Sequence, residues 1–356
     1  MKADQLALVK QLRHALHDCP EVSGREVRTK ALLQDFLHCH APHLTLHECG
    51  QGFYAAHRAN DAPGIALRAD YDALALPGGG AAHLCGHDGH AAALCGVALM
   101  LENQRVERNV FLLFQPAEET GAGAEGCLAL LAQEQVAEIY GAHNLPGFPL
   151  GQVVTREGTF ACASRGMTLR FTGKPTHAAY PENGVSPAPA VGQLLCDLPH
   201  LAAPEGYQGM TLCTVIGVQM GEKAFGAAAE AAEVWLTLRG EHNADLALLR
   251  QRVLSRAEAL AQAHCLGFAF EEQDVFPATE NHPAQARKVM ARCDGALLPQ
   301  PMRWSEDFGH YLLHCPGAFF GIGAGEGCAP LHTATYEYPD ALLARAADAF
   351  WQLIAP

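Results

Sequence analysis

Short apolar runs that stop abruptly at polar residues recur along the chain and predict buried strands of a sheet. Between them, residues 88–102 place apolar side chains such as Ala91, Leu94 and Ala98 at helical spacing, which predicts an amphipathic helix. Strands that alternate with helices indicate an α/β fold. The four clearest apolar runs are residues 65–68, 109–114, 139–142 and 318–322.

Polar residues follow these predicted strands, close to where each strand ends. In an α/β sheet, ligands bind beyond the carboxyl ends of the strands, so side chains from distant parts of the chain meet at that edge. The pattern therefore predicts one polar site that is assembled from several segments. Its candidate members are Cys85, His87, Glu118, Glu119, His143 and His332.

Residues 165–272 follow a different pattern, in which four strands and two helices occur in the order β-α-β-β-α-β. This order is the split βαβ arrangement of a small ferredoxin-like domain. The first pattern resumes near residue 276, so we expect this domain to be inserted in a larger one formed by residues 1–164 and 273–356. The predicted strands are 168–172, 211–218, 233–238 and 268–271, and the predicted helices are 187–200 and 244–264.

The most informative local motif is the run HLCGHDGH at residues 83–90, which contains one thiol and three imidazoles. Thiolate and imidazole are preferred ligands of zinc and its neighbours, and Cys85 and His87 are close enough to bind one ion or two adjacent ions. No second half of a zinc-finger motif lies nearby, so the other ligands must come from distant segments. His90 is expected to pack rather than to support the site. The alternative is a chance grouping among 13 cysteines and 19 histidines.

Length and composition narrow the class of protein. A chain of 356 residues exceeds one comfortable hydrophobic core, which favours two domains. The formal net charge of −14 disfavours a nucleic-acid partner, and no apolar run approaches the roughly 20 residues that span a bilayer, so we expect no membrane insertion. An N-terminus without a secretory signal pattern and an odd number of scattered cysteines predict a cytoplasmic protein without disulfides.

Ordered motifs along nearly the whole chain resemble the aminoacylase and glutamate-carboxypeptidase-like family of dinuclear metallo-amidohydrolases. Within it, the chain resembles the N-acyl-amino-acid amidohydrolases, a subgroup that includes hippurate hydrolase and the auxin-conjugate hydrolases. The motifs are RHALH at 13–17 with Pro20, Glu21 and Ser23; LRADYDAL at 67–74; CGHD at 85–88; QPAEE at 115–119; HNLP at 143–146; GKPTHA at 173–178; SEDF at 305–308; and LH at 331–332 followed by Tyr336 and Glu337.

The resemblance implies that two bridged divalent ions (Zn, Mn, Co or Ni) hydrolyse the amide bond of N-acyl amino acids. It also implies a zinc-peptidase-like catalytic domain with a mixed sheet flanked by helices. By motif position, Cys85 resembles the bridging ligand and Glu118 the catalytic base. The inserted domain resembles a lid through which relatives form homodimers, and its His177 resembles a catalytic residue that reaches a substrate carbonyl. The implied terminal ligands are His87, Glu119, His143 and His332.

The residues themselves leave several of these roles open. Paired glutamates such as Glu118 and Glu119 also occur on solvated surfaces, although the preceding buried strand and proline favour a function. Cys85 must be a thiolate to bind metal, and a position before a helix favours the anion, whereas a buried core cysteine is the alternative. A lone histidine such as His143 or His332 is more often structural, so only the family motif supports these two as ligands.

Other polar side chains have two interpretations each. Asp70 and Asp72 follow a predicted strand, and either could orient a ligating imidazole. Glu306 and Asp307 could support the site or only favour a helix N-terminus. Arg239 could bind a substrate carboxylate with its guanidinium or be a solvated arginine.

The chain departs from the family pattern in the inserted domain. The family has an Asn-Val-Ile-Pro-Asp segment whose Asn helps to hold the substrate carbonyl, whereas this chain has Gly226 followed by three alanines. Loss of that donor predicts a shifted substrate preference. Two alternatives therefore stay open: a dipeptidase or aminopeptidase of the same family, and a noncatalytic metal-binding relative with an altered lid.

Overall fold

The computed structural model describes residues 1–104 and 106–355, which divide into two compact units. The larger unit comprises Met1–Phe160, Thr279–Pro301 and the residues from Glu306 onwards. The smaller unit comprises Ala161–Ala278 and Met302–Ser305. None of the helices in the described part of the chain combines the length and the hydropathy of a transmembrane span.

A mixed eight-stranded sheet forms the centre of the larger unit. Four neighbouring strands in its middle run parallel and are almost wholly buried, as their runs of valine, leucine, isoleucine and phenylalanine predict. Their carboxyl ends therefore lie at one edge of the sheet. The strand order is Thr45–Cys49, Gly52–His57, Val110–Gln115, Gly64–Asp70, Val136–Pro146, Gly317–Gly325, Val153–Thr155 and Ala296–Leu297.

The helix His87–Asn103 is buried along its length from His87 to Leu101, although its spacing predicted an amphipathic helix. It is covered on further sides because it packs against the helices Ala3–His17 and Leu342–Ile354 as well as the strand Gly64–Asp70. The unit also contains the helices Val27–His40, Gly123–Cys127, Ala129–Gln133, Pro283–Arg292 and Gly309–Leu312, the 3-10 turn Glu118–Thr120, and the strand pairs Leu74–Ala75 with Ala81–Ala82 and Gly158–Ala161 with Thr279–Asn281.

The smaller unit consists of an antiparallel four-stranded sheet and two helices in the order β-α-β-β-α-β. One face of the sheet carries buried residues such as Leu169, Val234 and Leu236, which join Leu194 and Leu249 of the helices in one core. The strand order is Thr211–Met220, Ala231–Gly240, Ala163–Thr172 and Gly267–Phe276; the helices are Ala188–Leu201 and Asn243–Ala263; a short pair joins Thr176–His177 to Ala227–Ala228, and a 3-10 turn covers Pro181–Asn183.

The sequence patterns predicted these elements well. The α/β fold with a mixed sheet flanked by helices is confirmed. Strands of the smaller unit are longer than their apolar patterns: the strand predicted at 168–172 is Ala163–Thr172, because it forms a continuous antiparallel ladder with Ala231–Gly240. Backbone pairing extends a strand past the residues whose side chains alternate.

Candidate metal centre

The five predicted ligand side chains lie close together. Two of them contact the thiol of Cys85, and the other two lie near these or near each other. The Cys85 Sγ lies 3.3 Å from His143 Nε2 and 3.4 Å from His332 Nε2. The Glu119 Oε1 lies 3.7 Å from His332 Nε2 and 3.8 Å from His87 Nε2. The larger unit thus brings together all five residues that the sequence put forward as metal ligands.

The spacing of these donor atoms fits metal ions. Ligand bonds of ~2.0–2.3 Å at tetrahedral angles leave ligand atoms ~3.3–3.8 Å apart, which is the spacing observed here. Cys85 belongs to two such groups, one with His87 and His143 and another with Glu119 and His332, so it could bridge two ions. The buried atoms His87 Nε2 and Glu119 Oε1 have no hydrogen-bond partner within residues 1–104 and 106–355, and an ion between them would satisfy both.

Gly86 places Cys85 and His87 on either side of a tight backbone turn. Its φ of 97° lies in the left-handed region, and the helix begins at the next residue, His87. A Cβ atom on Gly86 would lie 2.6 Å from Asn144 Oδ1 and 2.7 Å from Tyr336 Oη. The thiol and the imidazole therefore converge because this position has no side chain.

The two glutamates diverge from a second tight turn, after the strand Val110–Gln115. Ala117 has a φ of 54°, and Glu118 and Glu119 follow in a 3-10 turn. Glu118 Oε2 lies 3.9 Å from His87 Nε2. The backbone N–H of Asp307 lies 3.4 Å from Glu118 Oε1, a weak hydrogen bond that holds this carboxylate beside the donor cluster.

Asp72, rather than Asp70, orients the imidazole of His87. Asp72 Oδ1 lies 3.0 Å from His87 Nδ1, which leaves Nε2 directed towards the cluster. Asp72 Oδ2 accepts hydrogen bonds from the Ser23 hydroxyl at 2.7 Å and from the backbone N–H of Glu119 at 3.0 Å. One buried carboxylate therefore positions two of the candidate ligands.

Asp70 belongs instead to a buried network around the guanidinium of Arg68. Arg68 Nη1 donates to Asp70 Oδ2 at 2.6 Å, and Nη2 lies 2.6 Å from Asp307 Oδ1 and 3.0 Å from Glu306 Oε1. Arg68 Nε donates to Gln115 Oε1 at 2.8 Å. Glu306 and Asp307 are thus partners of a buried arginine and lie beside Glu118.

His90 was expected to pack, but it is hydrogen-bonded at both ring nitrogens. Its Nδ1 lies 2.6 Å from Asp70 Oδ1, and its Nε2 lies 2.5 Å from Asn144 Oδ1. The prediction of simple packing was wrong, because His90 links Asp70 to Asn144, next in the chain to His143. His83, the first imidazole of the sequence cluster, is buried, and neither of its ring nitrogens has a hydrogen-bond partner among the described residues.

Residues 66–355 match the family model described as peptidase family M20/M25/M40. The chain belongs to this peptidase family. The resemblance inferred from the motifs is thereby confirmed, together with the predicted class of enzyme, a metallo-amidohydrolase.

Relatives of the M20/M25/M40 family match along both units. An N-acetyl-L-cysteine deacetylase of Bacillus subtilis is 31% identical over 89% of this chain and 81% of its own. The Arabidopsis thaliana protein IAA-amino acid hydrolase ILR1-like 4 is 29% identical over 93% of this chain and 81% of its own. A solved structure of a dinuclear metal-binding M20 peptidase from Bacillus subtilis matches with a TM-score of 0.82 and 25% identity, over 99% of this chain and 98% of that chain.

Burial dominates the electrostatics of the candidate centre. Burial raises the pKa of the Cys85 thiol well above its usual value, and the neighbouring Glu119 raises it further. Desolvation therefore opposes the thiolate form that the position before the helix favours. Burial also raises the pKa of Glu118 well above its usual value and that of Glu119 to about 7, while it lowers the pKa of His143.

The smaller unit holds the remaining candidate residues of this M20-family chain. His177 is exposed and lies in the short strand that pairs with Ala227–Ala228. Arg239 is half-buried, and its Nη1 donates to Ser305 Oγ at 2.8 Å and to the carbonyl of Arg303 at 3.1 Å. Gly226 has open space around it, since a Cβ atom there would meet no atom of another described residue within 4 Å.

Proposed function

We propose that the protein hydrolyses the amide bond of N-acyl amino acids, with two divalent ions bound by five side chains. The observation that carries this proposal is the set of donor atoms spaced at 3.3–3.8 Å around Cys85 and Glu119, with a buried carboxylate, Glu118, beside it. Relatives named as an IAA-amino acid hydrolase and an N-acetyl-L-cysteine deacetylase support this substrate class. The proposed ligands are Cys85, His87, Glu119, His143 and His332.

Charge balance supports bound cations. Six carboxyl groups and one thiol are gathered at the centre, whereas Arg68 is the one arginine hydrogen-bonded to these carboxylates among the described residues. Buried like charges are stable only when a cation or protons compensate them. Sulfur, imidazole and carboxylate donors suit zinc, manganese, cobalt or nickel. The six carboxyl groups are those of Asp70, Asp72, Glu118, Glu119, Glu306 and Asp307.

Glu118 is the proposed general base. When bound, the ions would polarise the substrate carbonyl and lower the pKa of a bound water to about 7. Glu118 can then accept the proton of that water at a carboxylate oxygen and return it to the leaving nitrogen. In the metal-free protein, burial and the neighbouring Glu306 raise the pKa of Glu118, so its carboxylate holds a proton more tightly than an exposed glutamate does. The N–H of Asp307 keeps the carboxylate oriented during this transfer.

His177 and Arg239 of the smaller unit are the proposed substrate-binding residues. The imidazole of His177 is exposed and can donate to a substrate carbonyl, which would make it a second catalytic residue. Arg239 uses Nη1 for contacts within its own unit and can present other N–H groups to a substrate carboxylate. Gly226 supplies no side-chain donor of its own.

The proposal includes a cytoplasmic homodimer that forms through the smaller unit. Its strand Thr211–Met220 lies at the edge of the sheet and exposes Ile216, Val218 and Met220. An exposed apolar edge strand is able to pair with a second chain. None of the thirteen cysteines is disulfide-bonded within the part of the chain that the structure describes, which accords with a reducing compartment. Sedimentation of the protein with and without Ile216→Lys tests the dimer: we expect a dimer that this substitution dissociates, and a monomeric wild type would overturn it.

Glu118→Gln tests the reaction. We expect kcat for N-acetyl and N-benzoyl amino acids to fall by about 10²–10⁴-fold, because the amide cannot accept a proton. Metal content measured on the same sample should stay near two ions per chain. The matched control is Glu125→Gln, an exposed glutamate on the following short helix, which should keep full activity.

Two further observations decide between the alternatives. A noncatalytic protein would bind metal but give no metal-dependent turnover over a panel of acylated amino acids, before and after Glu118→Gln. A dipeptidase or aminopeptidase would require a free α-amine and would cleave unblocked dipeptides in preference to N-acyl amino acids. Either result would contradict the proposed reaction.

A further inference from the structure

The guanidinium of Arg13 contacts carboxylates of two separate segments of the larger unit. Arg13 lies on the helix Ala3–His17, and its side chain is 3% exposed. Its Nη1 lies 3.5 Å from Asp88 Oδ2, its Nη2 donates to Glu337 Oε1 at 3.1 Å, and its Nε donates to Asp340 Oδ1 at 3.0 Å. The buried guanidinium of Arg13 therefore has three acidic partners.

Each of these two segments carries a proposed metal ligand. Asp88 follows His87 in the first turn of the helix His87–Asn103, and it also lies 2.8 Å from His17 Nδ1. Glu337 and Asp340 belong to the irregular loop 326–341, which also carries His332. Arg13 thus joins the helix that presents one imidazole to the loop that presents another.

His332 depends on such a connection more than the other ligands do. Its ring is half exposed, its φ is 62°, and its backbone N–H donates to the Leu84 carbonyl at 2.8 Å. The other ligands lie on a strand, on a buried helix or beside tight turns. A ligand on a loop keeps its position only if contacts elsewhere along the loop restrict it.

We propose that Arg13 is a positioning residue of the metal centre, which holds the loop of His332 against the helix of His87 by binding Asp88, Glu337 and Asp340 together. This inference rests on the proposed metal centre, but it concerns how tightly the ions are held and not which substrate is cleaved. The fork geometry matters, because an arginine offers donors in several fixed directions and a lysine offers a single point charge.

The test measures metal binding by Arg13→Lys, which keeps the charge and removes the fork. We expect the free metal concentration for half-occupancy of the more weakly held ion to rise at least about tenfold, as for other residues that support metal ligands. Cobalt-substituted protein should show a weaker thiolate-to-cobalt absorption band at limiting metal. Excess metal should restore kcat to within twofold of the wild-type value, which would show that Arg13→Lys weakens metal binding and leaves the catalytic step intact.

Arg345→Met is the matched control. Arg345 is another arginine of the larger unit, and it donates to the carbonyls of Gly151 and Cys293, away from the candidate ligands. We expect it to lower thermal stability without changing the half-saturating metal concentration. A folded Arg13→Lys protein whose metal affinity stays within twofold of the wild type would overturn the inference.

A second variant decides the question if Arg13→Lys fails to fold. The double substitution Glu337→Gln with Asp340→Asn leaves the buried helix face intact, since both side chains are partly exposed. We expect a rise of about two- to fivefold in half-saturating metal concentration, typical of partly exposed ion pairs. No rise would overturn the inference. Because metal binding is measured directly, a protein that binds metal but cleaves no N-acyl amino acid would contradict only the proposed function.

Discussion

At the scale of single residues, Gly86 has the strictest requirement in the candidate centre. Its backbone has a φ of 97°, and an added Cβ would clash with Asn144 and Tyr336, so two independent constraints require glycine there. The residue lies between two proposed ligands, Cys85 and His87. A change at this position therefore alters the directions of both side chains together.

Gly86→Ala should lose metal binding as well as stability. The left-handed backbone alone costs about 1–2 kcal/mol for a residue with a Cβ, and the two close contacts add to this cost. We expect a folded fraction with at least about tenfold weaker metal affinity, measured by metal analysis and thermal unfolding. Gly79→Ala is the control: Gly79 has a φ of 105° but open space around it. Equal effects of the two substitutions on metal affinity would contradict the role assigned to Gly86.

The substitution Gly226→Asn tests whether position 226 differs from the family pattern only because it lacks a side-chain hydrogen-bond donor. Open space around Gly226 and a φ outside the left-handed region leave room for a side chain. We expect unchanged stability and a two- to tenfold higher kcat/KM for N-acyl amino acids, the effect of about one hydrogen bond. Gly192→Asn, on a helix of the same unit with open space, is the control. A lower kcat/KM for Gly226→Asn would show that this chain uses the smaller residue.

At the scale of elements, the sequence predicted the parts of the site that depend on strand ends. The apolar runs before Asp70, Glu118 and His143 located those residues near one sheet edge, because buried strands have a continuous apolar signature. The sequence did not choose between Asp70 and Asp72, because that choice depends on which side of the turn faces His87 in three dimensions.

The sequence patterns also could not identify hydrogen-bond and ion-pair partners that come from distant segments of the chain. Arg68 belongs to an apolar run, and a charged residue in a predicted buried strand was the one sequence feature that indicated a buried ion pair. Its partners Glu306 and Asp307 lie more than 200 residues away in the chain. The role of the buried His90 was predicted wrongly for a similar reason, because helical spacing cannot distinguish a packed imidazole from one that bridges Asp70 and Asn144.

In the helix Asn243–Ala263, the spacing of apolar residues predicted which side chains are buried. Leu249 is fully buried in the core of the smaller unit, whereas Leu248 is partly exposed. We expect Leu249→Ala to destabilise the protein by about 2–5 kcal/mol, because it leaves a cavity, and Leu248→Ala to cost much less. Denaturant unfolding measures both, and metal content should not change. A loss of metal with Leu249→Ala would contradict the separation of the two cores.

At the scale of the whole molecule, the negative charge is concentrated at the candidate centre as well as on the surface. The formal net charge is −14, and several carboxyl groups of the centre are fully buried. Burial raises the pKa of Glu306 to about 8, even though Arg68 opposes this shift. Without metal, the folded protein therefore keeps a proton on Glu306 that the unfolded chain releases near pH 4.5.

This difference predicts how the stability of the metal-free protein depends on pH. Between about pH 5 and 8 the folded state binds more protons than the unfolded state, so the free energy of unfolding should fall as pH rises, by up to about 1.4 kcal/mol per pH unit for one such group. Urea unfolding with a chelator at pH 5.5, 6.5 and 7.5 measures this slope. Glu306→Gln should make the slope less steep, because the amide does not titrate, whereas Glu118 and Glu119, whose pKa values burial also raises, keep the rest of it. Divalent metal should also reduce the slope by compensating the carboxylate charge. An unchanged slope in Glu306→Gln would contradict a raised pKa at Glu306 and assign the proton uptake to its neighbours Glu118 and Glu119.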